Sequence, residues 1–261
     1  MRVLSFRNLR IAALLLILAA VWIHNRDQAL HARSWHLPLP VTIFPINPTA
    51  APQIDAYIDG LEDQYFAAID QFLAREGARY GVYAERPTIT RLGPRVGAVP
   101  PEPPAGAISR LDAILLSLKL RWWAFRNTPD AYADDRGVHL FVLFHDAAQA
   151  PQLRHSLGYQ KGLFGIVHAY AHPGLAARNN IIIAHELLHT VGASDKYDAA
   201  AEPRFPEGYA EPGRVPRYPQ RRAEIMAVRI PLSPTESRMP EHLHGVVVGP
   251  ETAGEINWLG G

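Results

Sequence analysis

The chain is predicted to fold as an α/β protein: a mixed, mainly parallel sheet with two backing helices, a helix carrying the functional site, and an irregular C-terminal part closed by a last helix. Three observations predict it. Apolar runs of strand length alternate with segments of helical periodicity until about residue 190, the pattern of strands joined by crossover helices. Prolines and glycines then crowd residues 202–219, where extended, irregular chain is expected. A hydrophobic content of 48% over 261 residues suffices for one core of about 200 residues behind an N-terminal extension.

At the N-terminus Arg2, Arg7 and Arg10 precede the apolar run 11–23, after which the chain turns polar at His24-Asn25-Arg26-Asp27. Basic residues before such a run favour an N-terminus held in the cytoplasm and a remainder carried across the membrane. The run is shorter than the roughly 20 residues of a spanning helix, which suits a cleavable signal. No A-x-A pattern follows it closely, however, and Trp22 with Arg10 and Arg26 suits anchoring at the two interfaces. An uncleaved signal-anchor is therefore expected over 1–33 with its linker, and secretion after cleavage is the alternative.

Residues 41–44 read as a short strand closed by Pro45. A helix is expected over 52–76, with the stripe Ile54, Ile58, Leu61, Tyr65, Ile69 and Phe72 and a stop at Gly77. Residues 88–92 form a second strand, and the proline cluster 94–104 an exposed loop. The next helix, 108–125, has the stripe Ile108, Leu111, Leu115, Leu118, Trp122 and Phe125, which is assigned to the core. Residues 138–144 suit the buried middle of a sheet, and 166–170 a strand just before the site helix. Near the end, 250–258 reads as the closing helix, with Pro250 in its first turn and Gly249 before it.

The chemistry is concentrated in Ala184-His185-Glu186-Leu187-Leu188-His189-Thr190-Val191-Gly192-Ala193-Ser194-Asp195. On a helix advancing about 100° per residue, His185 and His189 lie roughly 40° apart on one face, so both reach one cation. Glu186, about 100° from the first histidine, is aimed at a water on that cation rather than at the cation itself, which is a general base's position. Gly192 ends the helix and lets the chain reverse, bringing Asp195 back as an oxygen ligand. Asp198 in the same turn and the later Glu224 are the competing third ligands. With no cysteine in the chain, histidine and carboxylate must do all the metal binding.

The pattern HExxHxxGxxD resembles the metzincin clan of zinc peptidases, in the snapalysin-type variant where aspartate replaces the third histidine. The resemblance covers the helix, the turn after it and one later methionine. It implies a zincin-like catalytic domain over 34–261, divided into an upper subdomain of about 34–192 and a lower one of about 193–261. It further implies a Zn2+ cofactor, a peptide or protein substrate, and a tight turn whose methionine floors the metal, for which Met226 is the candidate. An edge strand beside the metal would bind extended substrate by backbone pairing; residues 162–170 are either that cleft wall or an ordinary inner strand. Tyr197 is a candidate oxyanion donor, or else packs the turn. His168, His172, His242 and His244 are read as surface histidines.

Charge excludes one class of partner. With 26 basic against 25 acidic residues, the chain lacks the electrostatic footprint of a nucleic-acid binder. The expected activity is zinc-dependent hydrolysis of peptide bonds with a glutamate base. The alternatives are a zinc hydrolase of some other amide and a tethered binding module whose zinc is structural.

Overall fold

The computed structural model describes residues 10–11, 15–16, 30–82, 84–102, 109–133, 137–149, 156–159 and 163–259. Five strands form the central sheet: β1 (Leu39–Ile46), β2 (Thr88–Leu92), β3 (Val138–His145), β4 (Leu157–Tyr159) and β5 (Phe164–Tyr170). Their order is β2-β1-β3-β5-β4. The first four in that order run parallel, and β4 pairs antiparallel at the edge. The fold is thus a mixed α/β structure built on a four-stranded parallel sheet, as the alternation of strand and helix segments implies.

The inner strands are apolar on both faces because both are covered. One face, carrying Val41, Ile43, Leu140, Val142, Phe144 and Val167, packs under helices α1 (Pro52–Asp59), α2 (Ala67–Arg79) and α5 (Ala176–Thr190). The other, carrying Phe44, Ile46, Phe141, Leu143, Phe164 and Ile166, packs under α3 (Arg110–Asn127), which is followed by the single turn α4 (Asp130–Ala133). Phe44, Phe72, Phe141 and Phe144 are fully buried, each contributing about 1.5–3 kcal/mol.

Beyond α5 the ladders are two residues long, β6 (Ala223–Glu224) with β9 (Val246–Val247) and β7 (Ile230–Pro231) with β8 (Ser237–Arg238), before α6 (Pro250–Glu255). Two of the ties that bind this part to the rest run through α2 and Trp35. Glu76, buried in α2, is held by Arg75 and Arg79 and accepts from the Val248 amide, while Arg75 donates to the carbonyls of Leu243 and Val246. At the start of the described domain, Trp35 donates from Nε1 to the Ile256 carbonyl at 2.7 Å and packs edge-on against Trp258.

Several expectations are corrected. The helix over 52–76 is broken after Asp59, where Gly60 and Leu61 close 3-10-type bonds to Tyr57 and Ile58. The break frees Asp63 to accept from the Leu92 amide on β2, and the second helix continues past Gly77 to Arg79. Pro45 does not close its strand. The carbonyls of Ile43 and Pro45 accept from Gly93 and Val96, so the missing Pro45 N–H faces a side where β2 has already ended at Leu92.

The α3 stripe is also reversed. Leu111, Leu115, Leu118, Trp122 and Phe125 face solvent, and Leu120, Trp123 and Ala124 meet the sheet; Ile108 lies outside the described residues. This helix is apolar on two opposite sides, with polar residues between them, so periodicity had two stripes to choose between. Residues 164–170 form an inner strand, and the edge belongs to β4, which at three residues is too short to leave a periodic signal. Of the anchor run 11–23, only 11, 15 and 16 are described. Among the described residues no helix is long and apolar enough to cross a membrane.

Candidate metal centre

Helix α5 is positioned before any ligand is considered. Its side chain Asn179 both accepts from the Tyr170 amide and donates to the Tyr170 carbonyl, each at 2.9 Å, so the helix start is stitched to the end of β5. Asn180 donates to the Tyr65 carbonyl at 2.7 Å. Ile181, Ile183, Ala184, Leu187 and Leu188 are buried, so packing fixes the helix's rotation and hence where its histidines point.

The helix ends in a Schellman motif. Gly192 takes φ +112°, its amide bonds the His189 carbonyl at 3.1 Å, and the Ala193 amide bonds the Leu188 carbonyl at 3.0 Å. The reversal does two things at once. It carries the chain back to place Asp195, and it presents the Ala193 carbonyl to His189 Nδ1 at 2.8 Å. His185 Nδ1 meets the Ile225 carbonyl at 3.1 Å. A carbonyl can only accept, so both Nδ1 atoms carry the proton and both Nε2 lone pairs face inward.

Those lone pairs converge. His185 Nε2 lies 3.0 Å from His189 Nε2, and Asp195 Oδ1 lies 3.3 Å from the first and 3.1 Å from the second. Three electron-rich atoms this close repel one another unless a cation sits among them. A tetrahedral ion with bonds of about 2.0–2.1 Å needs its ligand atoms roughly 3.3 Å apart, close to what is found. Asp195 Oδ1 is moreover buried with no hydrogen-bond partner among the described residues, an orphan that a divalent cation would satisfy. His185, His189 and Asp195 are therefore a set that could hold a metal ion.

The surroundings tune these groups. Burial opposes charge on Asp195, but His185 and His189 outweigh it and hold the carboxyl well below the usual range. For His189 burial likewise works against the proton, and Asp195, Glu186 and the Ala193 carbonyl outweigh it to raise the pKa. Glu186 is buried, its Oε1 4.0 Å from His185 Nε2, beside the ligand set and outside it. Tyr197 stacks on His185 with ring centroids 6.3 Å apart. Burial and the Asp195 charge raise its pKa, so the phenol stays protonated, with its hydroxyl donating to Asp195.

The competing ligands are occupied elsewhere. Asp198 Oδ1 caps the amides of Ala200 and Glu202 in an exposed turn. Glu224 is the hub of a buried turn: one oxygen accepts from the Met226 and Ala227 amides, the other from the Gly249 amide and Thr252 Oγ1. Burial raises its pKa even against these four donors. Met226 is fully buried in that turn, directly after the carbonyl that orients His185.

Sequence reading missed the strut behind Asp195. Lys196, only 3% exposed, places Nζ 2.6 Å from Glu255 Oε1 and 2.8 Å from Ser194 Oγ, and the Ser194 amide donates to Glu255 Oε2 at 2.9 Å. Arg204 donates to the Asp195 carbonyl at 2.7 Å, and the Lys196 amide to the Met226 carbonyl at 3.0 Å. A lysine and a glutamate 59 residues apart leave no local pattern to find. A scan against protein-family models and a search of curated proteins find no match to this chain.

Proposed function

We propose that this chain is a zinc-dependent peptidase of metzincin-like type, tethered by its N-terminal segment with the catalytic part outside the cytoplasm. One observation carries the reading. Two Nε2 atoms and an orphaned carboxylate oxygen meet at mutual distances of 3.0–3.3 Å, each imidazole aimed by a backbone carbonyl. An N2O donor set at tetrahedral spacing suits zinc, and three protein ligands rather than four are the mark of a catalytic site.

Bound there, zinc would supply a Lewis acid that makes hydroxide accessible near neutral pH. Glu186 takes the proton from the attacking water and delivers it to the leaving amine, a task suited to a buried carboxylate one residue from a ligand. Tyr197, protonated and bonded to Asp195, would have to turn its one O–H from that carboxylate to donate to the oxygen on which charge develops. The antiparallel edge strand β4 packs beside α5, and its open backbone is where an extended peptide would pair. A purely structural zinc site would have no use for Glu186.

The test is Glu186→Gln in the purified protein. Zinc content measured by elemental analysis should be unchanged, and chelator-sensitive cleavage of a mixed peptide library should be lost. Cleavage at the parent rate would remove Glu186 from the mechanism.

A further inference from the structure

Helix α3 is apolar on two opposite sides, and the sheet uses only one. At about 100° per residue, Leu120, Trp123 and Ala124 centre on the buried side, while Leu111, Ile114, Leu115, Leu118, Trp122 and Phe125 fill an arc of roughly 100° facing away. These six residues are 46–70% exposed. An aromatic side chain carries about 150–250 Å², so Trp122 and Phe125 alone leave on the order of 250 Å² bare, and the four aliphatic residues extend the patch to the upper end of what monomers show, the size at which such patches are often functional.

The borders of this stripe are basic. Lys119 and Arg126, both exposed, lie along one edge and Arg121 along the other, with the acidic Asp112 tied up in the capping box with Ser109. A Trp- and Leu-rich stripe with Lys and Arg at its borders is the surface of a helix that lies in a membrane interface. Although 18 residues long, α3 is not apolar enough to cross a bilayer, which leaves lying on one. A second copy is a poorer occupant, since any pairing of this face with itself sets basic border against basic border. The sequence also brings Arg2, Arg7, Arg10 and the apolar run 11–23, and stable attachment takes two such signals.

We infer that the exposed stripe of α3 seats in the headgroup layer of an anionic lipid bilayer, fixing the domain against the membrane beyond its N-terminal attachment. This rests on the membrane part of the proposed function and is independent of the metal site. The chain has no cysteine, so Leu118→Cys accepts a single environment-sensitive dye without further change. The labelled full chain is mixed with vesicles of phosphatidylcholine and phosphatidylglycerol and floated on a density gradient. The expected result is a several-fold rise in emission at position 118, quenched by brominated lipid and abolished when Trp122→Glu and Phe125→Glu are added. A dye at the exposed position 215, introduced by Val215→Cys, should stay in water. Flotation with position 118 still in water would keep the N-terminal attachment and overturn the seating of α3. Absence of flotation would overturn both, and a rise without vesicles that grows with protein concentration would assign the face to a second copy instead.

Discussion

Replacing Glu255 with alanine tests whether Asp195 is held by the strut behind it. The substitution leaves Lys196 Nζ, on a residue 3% exposed, with Ser194 Oγ as its remaining partner, and strips the Ser194 amide of its acceptor. Breaking one side of a buried ion pair costs about 3–5 kcal/mol. The Glu255 side chain is 26% exposed, so water softens the loss and the lower end, about 3 kcal/mol, applies. For a domain of this size that corresponds to about 6–12 °C in melting temperature. The metal should feel it too, because groups that orient a ligand typically contribute 10–100-fold in affinity. Calorimetry of the apo protein and competition against a zinc-chelating dye read the two effects. Adding Lys196→Met should recover most of the stability, since the stranded charge is then gone. A Glu255→Ala protein that melts within about 2 °C of the parent and binds zinc equally well would refute the reasoning.

The same strut predicts a pH dependence. Burial pushes the Glu255 pKa up, but Lys196 and Ser194 outweigh it and set it below the ordinary value of 4.5. A carboxylate with a depressed folded pKa stabilises fully above its unfolded value and loses that contribution as pH falls through the folded one. Apo-protein melting should therefore drop as the solution is acidified below about 4.5, and Glu255→Gln should flatten that drop. Asp195→Ala should abolish tight zinc binding with the circular dichroism unchanged, whereas Glu224→Ala should leave the ligands intact and destabilise by about 3–5 kcal/mol in urea, having removed a buried carboxylate that accepts four hydrogen bonds. Tyr197→Phe should lower kcat on the order of 100-fold with zinc retained, and an unchanged kcat would return Tyr197 to a packing role.

What could be read in advance follows the range of the interactions. The spacing of His185, Glu186 and His189 is local, and so is the glycine whose positive φ brings Asp195 back; geometry over eleven residues sufficed for both. The inner parallel strands were visible because burial on both faces leaves largely apolar runs. Three things were not legible. β4 is too short to show a period, α3 offers two apolar stripes and no local rule says which meets the sheet, and the break after Asp59 depends on Asp63 reaching a strand almost thirty residues away. Glu224 was weighed as a ligand because acidic residues advertise chemistry and not location; its work is to hold the turn that carries Met226.

The carbonyl of Ile225 that aims His185 lies forty residues downstream of it. A ribosome delivers the imidazoles long before it delivers their alignment, so a nascent chain stalled before that point, or one clipped in the proline-rich stretch between, carries both histidines with one of them unaimed. Alignment of the donor set is thus a property of the closed fold and not of the helix that carries it.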